Sequence, residues 1–288
     1  MTKVVEGQTM DEERALYALT NGEVVKCTFA GPADGESCLK EARNVKCTDC
    51  QFDLRYPLWH VETAKIENCS FSNTCRAACW YDKDLTFDGC KMFGIKIIRE
   101  CDRTTVNNCE IQSPEFGWYC RGLHLNNTKL DSEYAFLGSK DITMDGVTMS
   151  GKYTIQYTEN VVVKNSNFAT KDAFWHSKNC TVYDSVLKGE YIAWYSENLK
   201  LVRCHIIGTQ PFCYCKGLVL EDCTMEGTDL SFEYSEVNAT IKGDIISIKN
   251  PDHGKIQIDT IGELIIDENK HADADCEIVC SDIKKRSP

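Results

Sequence analysis

The residues best suited to chemistry are aromatic, and their pairing is what singles them out. All five tryptophans, Trp59, Trp80, Trp118, Trp175 and Trp194, are followed directly by a histidine or a tyrosine: His60, Tyr81, Tyr119, His176 and Tyr195. Indole and phenol faces suit the C–H faces of sugar rings, and tyrosine and histidine tips add hydrogen bonds. The competing reading is packing, since bulky side chains on β-surfaces cover a core or fill a corner without binding anything. On the binding reading the site is Trp59, Trp80, Trp118, Trp175, His176, Trp194 and Tyr195, with Tyr157, Tyr214 and Phe232 in the matching positions of other repeats.

Catalytic and metal-binding patterns are sparse. Asp172 and Glu190 fall on neighbouring repeats with His176 nearby, a set that can serve as acid and base on a glycosidic bond. Aligning EERALY, ESCLKE, LRYPLW and CRAACW places Glu13, Glu36, Arg55 and Arg76 in one column, with Arg14 and Lys40 beside it. Guanidiniums so placed can clamp a carboxylate or phosphate; the alternative is a salt-bridged edge that neutralises like-charge stacking. A further column, Asp102, Arg121, Lys140, Glu159, Lys178, Glu197 and Lys216, mixes signs and reads as a solvated face. The DHG at 252–254 reads as a turn between strands, and the single Cys-x-x-Cys, Cys47 to Cys50, falls on core positions. No phosphate loop, paired-histidine zinc motif or nucleophile elbow is present, so neither metal nor cofactor is expected.

What must position these residues is a repeat. Asn160 to Lys178 and Asn179 to Glu197 align without a gap, sharing Asn160/Asn179, Val163/Val182, Ser166/Ser185, Trp175/Trp194 and Ser177/Ser196. Taking Ser166/Ser185 as a marker, the same position is Cys204 and Cys223 going forward and Val147, Thr128, Cys109 and Cys90 going back, always nineteen residues apart. Earlier markers are Cys69, Cys50 and Cys27, where intervals of 21, 19 and 23 imply small loop insertions. Two residues after each marker stands a large apolar side chain, from Phe29 and Phe52 to Ile206 and Met225; three before it stands another, from Val24 to Leu220. That alternation is the period of a short strand with one buried face. Six before the marker stand turn-formers such as Asn44, Asp84, Gly122, Asp141, Asn160, Asn179, Asn198 and Gly217, which tolerate a left-handed corner. Three short strands per turn of about nineteen residues predict an all-β fold: a single-stranded right-handed parallel β-helix, a solenoid whose turns stack on their neighbours.

Within one domain the expected parts are an N-terminal cap over 1–20, β-helix turns over 21–236, C-terminal strands and cap over 237–267, and a loosely held polar tail over 268–288. Seven of the eighteen cysteines are markers, in a slot that asks for a small, poorly solvated group. Cys101, Cys120 and Cys215 share a second slot with Ser139, Thr158, Ser177 and Ser196, where a small side chain bonds nearby backbone. Thiols used this way, with no export signal in MTKVVEGQTMDEERALYALT, predict a cytoplasmic protein with reduced cysteines. A net charge of −12 argues against a nucleic-acid partner, and no apolar run is long enough to span a bilayer.

The ordered strings EERALYALTNGEVVKCTF, ESCLKEARNVKCTDCQF, RYPLWHVETAKIENCSF, DAFWHSKNCTVYDS, GEYIAWYSENLKLVRC and FEYSEVNATIKGDIISIKNP resemble a bacterial family of about this length. It is known only as a domain of unknown function with a pectin-lyase-like single-stranded right-handed β-helix. The resemblance runs from about Gly7 to Asn269 and implies the fold and a cytoplasmic setting; it transfers no catalytic residue. Some members carry a hydrogenase-subunit name, which this chain does not support, because nickel–iron centres need two Cys-x-x-Cys pairs and one is present. The expected function is a non-catalytic scaffold using the aromatic ladder, with a neutral oligosaccharide or a protein as partner. The alternative is a carbohydrate-active lyase or hydrolase on the same face.

Overall fold

Backbone pairing between successive turns builds the whole structure. The computed structural model describes residues 3–31 and 36–283, with no helix among the described residues. It divides into two compact units, Met1–Thr148 and Met149–Pro288. Each is an all-β parallel β-solenoid. In the N-terminal unit the long strands Thr20–Val25, Arg43–Thr48, Glu62–Glu67, Lys83–Asp88, Asp102–Asn107, Arg121–Asn126 and Lys140–Asp145 pair in chain order, all parallel. In the C-terminal unit the series is Glu159–Lys164, Lys178–Tyr183, Glu197–Val202, Leu218–Glu226, Glu236–Lys249, His253–Ile265 and Glu277–Ile283.

The register is the one the repeat requires. Val163 lies opposite Val182 and Val182 opposite Leu201; Phe87 lies opposite Val106 and Val106 opposite Leu125. Where the interval lengthens to 23 residues, Val24 still faces Cys47, so a loop absorbs the insertion and the column survives. Both apolar columns are buried, and identical side chains meet as stacked pairs: the Phe29 and Phe52 rings are 5.2 Å apart, Phe52 and Phe71 4.7 Å. The segment after residue 268 is not a loosely held tail throughout, because Glu277–Ile283 joins the stack beside His253–Ile265. Residues 284–288 of that segment lie outside the described residues.

Corners explain the polar repeats. Asn44, Asp84, Asp141, Asn160, Asn179 and Asn198 all adopt positive φ, between 51° and 60°. The side chains also ladder: Asn198 Nδ2 donates to Asn179 Oδ1 at 3.0 Å, and Asn44 Nδ2 to Asn21 Oδ1 at 2.6 Å. A second left-handed corner, directly before the marker, was hidden among charged residues; it includes Lys26, Asn68, Asn108, Asp184 and Arg203.

The marker slot caps that corner. Cys50 Sγ donates to the Thr48 carbonyl at 3.4 Å and Cys69 Sγ to that of Glu67 at 3.2 Å, while Ser166 and Ser185 Oγ donate to Lys164 and Tyr183 at 2.6 and 2.7 Å. Thiol and hydroxyl are therefore equivalent there: each is small and supplies one donor. Sixteen of the eighteen cysteines are buried, and all are unpaired.

The second slot behaves in the same way and holds one misfit. Its side chains accept an N–H from the preceding turn, as Ser139 Oγ does from Cys120 at 2.7 Å and Ser235 Oγ from Cys215 at 3.1 Å. Asp82 occupies this slot, accepting the Val61 N–H at 2.7 Å, and is fully buried with Oδ2 unpartnered. Burial, opposed by backbone hydrogen bonds, pushes its carboxyl well above the usual range, so the neutral acid fills the slot. Folding thus favours the protonated form, and this stability is present at low pH and lost as pH rises through the folded value. Asp82→Asn should remove that loss. Urea midpoints measured from pH 4 to 8 should show the variant gaining on the wild type as pH rises; parallel curves would mean Asp82 is not a buried acid.

Candidate functional site

The third corner holds a ring in most turns, where the other two corners hold Asn, Asp, Gly or exposed polar residues; Ala18, Glu41, Glu100 and Gly138 take its place in the others. His60, Tyr81 and Tyr119 in the N-terminal unit have φ of 55°, 58° and 54°; Tyr157, His176, Tyr195, Tyr214 and Tyr234 in the C-terminal unit lie between 49° and 54°. A bulky side chain in the left-handed region costs about 1–2 kcal/mol, which makes this column a physical outlier. Stacking offsets the strain in part. In the C-terminal unit the successive ring centroids Tyr157–His176, His176–Tyr195, Tyr195–Tyr214 and Tyr214–Tyr234 are 5.1, 5.1, 4.7 and 5.2 Å apart. His271 continues the column 4.9 Å beyond Tyr234.

The tryptophans form a parallel inner column. Trp175 and Trp194 stack at 6.0 Å, and Trp194 lies 5.9 Å from Tyr195 with 9° between the ring planes. The Trp175–His176 and Trp194–Tyr195 turns therefore each contribute a nearly flat two-ring tier whose faces are covered by neighbouring rings, while Tyr157, Tyr214 and Tyr234 follow Gln156, Cys213 and Glu233. This corrects the geometry on which sugar stacking was expected: ring faces meet other rings, and ring edges meet solvent. The indoles are half-buried, and Nε1 of Trp59, Trp175 and Trp194 is buried without a partner. The outer column is the exposed one, with Tyr157 55% and Tyr195 42% accessible. Among the described residues no protein group bonds the hydroxyls of Tyr157, Tyr195, Tyr214 or Tyr234, so those tips are open to a ligand.

The N-terminal unit carries a shorter version. Trp59 stacks on Trp80 at 5.9 Å and His60 on Tyr81 at 5.2 Å. The next tier is Arg99–Glu100, whose guanidinium lies 6.0 Å from the Trp80 ring and 5.4 Å from that of Trp118. Trp118 and Tyr119 then stand nearly perpendicular, at 83°, so the flat tiers stop there. The charged column is paired in part: Arg55 reaches Glu36 on the neighbouring turn at 3.5 Å and Arg14 reaches its chain neighbour Glu13 at 3.0 Å, while Lys40 sits over Trp59. Within each unit the mixed-sign column is in register on the surface: Asp102, Arg121 and Lys140 in the first, and Glu159, Lys178 and Glu197 in the second, with Lys178 bridging Glu197 at 3.0 Å. A groove of about 460 Å³ lined by Asn73, Ile95, Gln112, Ser113, Asp131 and Glu133 contains no ladder residue.

Asp172 and Glu190 are on adjacent turns, joined by an N–H to carbonyl bond of 3.1 Å. Burial raises the Asp172 carboxyl, against the pull of Lys171. Glu190 is held by Lys171 at 2.9 Å, so it is engaged rather than poised as a base. Phe232 does not belong to the ladder: it is fully buried and stacks on Phe212 at 5.7 Å. The ladder position of that turn is Tyr234, displaced by one extra residue, since Cys213 pairs with Glu233. Tyr234 and His271 were missed because strict nineteen-residue counting fails beyond the last marker. Tyr191, stacked 5.4 Å from Trp194, lies outside the Trp-next-residue pattern altogether.

Residues 3–279 match the family described as a protein of unknown function (DUF3737), and the chain belongs to that family. No curated protein matches it. Among solved structures it is similar to a mutant tailspike protein of E. coli bacteriophage HK620 in complex with a pentasaccharide, at 10% identity and a TM-score of 0.48, over 91% of this chain and 60% of that one. It is also similar to PfbA, a surface adhesin of Streptococcus pneumoniae, at 10% identity and a TM-score of 0.44, over 93% of this chain and 84% of that one. The chain spans about 60% of the length of the tailspike. At 10% identity and TM-scores below 0.5, these likenesses carry no argument about this chain.

The two columns should separate on mutation. Trp194→Ala should cost about 3 kcal/mol, the low end for a large buried ring. Tyr195→Asn keeps a side chain that tolerates the left-handed corner, so relief of strain offsets most of the lost stacking and the change should cost less than about 1 kcal/mol. Chemical denaturation of both variants checks this; equal losses would mean that the outer column is core.

Proposed function

We propose that the protein is a non-catalytic binding scaffold, and that the outer ring column of its C-terminal unit receives a neutral oligosaccharide. The observation that carries this reading is the stacked row of unpartnered phenol and imidazole rings, exposed at Tyr157 and Tyr195 and half-buried at His176, Tyr214 and Tyr234, one on each successive turn at spacings of 4.7 to 5.2 Å. A ligand that repeats its own hydroxyls along a chain can satisfy several tips at once, and rigid rings order little on binding. Recognition is by ring edges and hydrogen bonds, with the half-buried Trp175 and Trp194 as the floor that fixes the tips. A net charge of −12 favours a neutral ligand over an acidic one. Within the same proposal the protein works in the cytoplasm, since buried S–H groups that cap backbone carbonyls suit a reducing compartment.

The second reading, a glycan-cleaving enzyme, is favoured only by the raised carboxyl of Asp172, which suits a general acid. It lacks a free partner carboxylate, because Lys171 holds Glu190.

Titration against a panel of neutral oligosaccharides, followed by intrinsic fluorescence, should find a saturable ligand that is recovered intact. Tyr195→Asn combined with Tyr214→Asn should weaken that ligand by at least about tenfold, or roughly 1.4 kcal/mol, while the melting temperature stays close to that of the wild type. A ligand bound equally by the double variant, or a panel without binders, would overturn the assignment; a cleaved ligand would establish the enzymatic reading.

A further inference from the structure

His271, the last ring of the outer column, belongs also to a cluster of a different kind. Its Nδ1 lies 2.9 Å from Asp252 Oδ1. Asp252 precedes the strand His253–Ile265, and Asp273 and Asp275 come from the loop after that strand. Asp252, His253 and Asp273 each offer one ligand atom, and these three atoms lie within 4.8 Å of one another. The sequence pattern at 252–254 read as a plain turn because its partners arrive about twenty residues later.

We propose that Asp252, His253 and Asp273 bind a first-row divalent transition cation such as Zn²⁺ or Mn²⁺, which fastens the 268–276 loop to the turn beneath it. The spacing is within reach of a site. Ligand atoms about 2.0–2.2 Å from one tetrahedral ion stand roughly 3.3–3.6 Å from one another, so closure around an ion draws these side chains together by up to about 1.5 Å. The donors fit as well: one imidazole with two carboxylates suits this class, whereas Ca²⁺ asks for six to eight oxygens.

Both flanks are already held. The Asp252 N–H donates to the Ser235 carbonyl at 2.9 Å, and the Asp252 carbonyl accepts the N–H groups of Asp275 and Cys276 at 2.9 and 3.1 Å. Turn and loop are thus joined by backbone independently of any ion, and the ligands are presented by an ordered frame. One ring nitrogen of His253 lies 2.8 Å from Asp275 Oδ1, the carboxylate–histidine relation that orients a ligating imidazole through its other nitrogen. Asp252, Asp273 and Asp275 crowd three carboxylates around two imidazoles, an excess of negative charge that a divalent cation neutralises.

The test uses the full chain, reduced and stripped with a chelator, titrated with Zn²⁺ by calorimetry and with Co²⁺ by visible absorption. The expected result is one equivalent bound, a raised melting temperature, weak Co²⁺ bands of nitrogen and oxygen ligation, and little response to Ca²⁺. Asp273→Asn, at an exposed loop position, and His253→Asn should each weaken Zn²⁺ by at least tenfold. Asp273→Asn should leave the metal-free melting temperature unchanged, so a folding defect in the other variant does not decide the matter. Absence of saturable binding, wild-type affinity in Asp273→Asn, or an intense sulfur-to-cobalt band placing the ion on thiols such as Cys276 would each overturn the site.

Discussion

A strand in this protein satisfies its backbone on the turns before and after it, and every other feature derives from that vertical hydrogen bonding. Parallel pairing at about 4.8 Å leaves room for one residue above each residue, so slots are inherited from turn to turn. Like must sit on like or on something of its size. Phe29, Phe52 and Phe71 share one column, Asn160, Asn179 and Asn198 another, and Cys, Ser and Thr exchange freely where one small donor is needed. Buried thiols in such number are a consequence of slot geometry and need no redox role.

The same inheritance turns one strained corner into a continuous feature. A ring in the left-handed region costs about 1–2 kcal/mol, and one stacked pair returns about 0.5–1.5. In a column each ring has on average about one such pair, so strain and stacking roughly cancel. Asn or Gly would hold the same corner without strain, as they do elsewhere in the turn. Stability alone therefore does not call for Tyr195 or Tyr214 at this corner, and what the rings add is a row of rigid polar tips.

Much of this was legible in the sequence. The apolar columns, the marker slot and the Asn corners can be read from spacing, because a period-two strand and a left-handed corner each restrict residue type. The direction of the rings was not legible: Trp175 and His176 occupy adjacent slots, and sequence does not say that one lies half under the next tier while the other stands at the rim. Asp82 was hidden because its slot asks only for a hydrogen-bonding group, and a protonated acid meets that demand as a serine does. Beyond Met225 the strands lengthen and the interval departs from nineteen, Cys213 lying opposite Glu233 and Cys223 opposite Ile241, so Tyr234 and His271 fell out of count. The strand Glu277–Ile283 lay in a segment whose charge suggested a tail.

The central claim is that ligand contact falls on the rim of the ring columns and leaves the floor untouched. Hydroxyl-radical footprinting with and without a bound oligosaccharide tests it most directly, because Tyr157, Tyr195, Tyr214, Trp175 and Trp194 can all be read in one experiment. The account predicts protection of Tyr195 and Tyr214 on ligand addition, with Trp175 and Trp194 unchanged. Protection confined to the tryptophans, or to residues outside both columns, would contradict it.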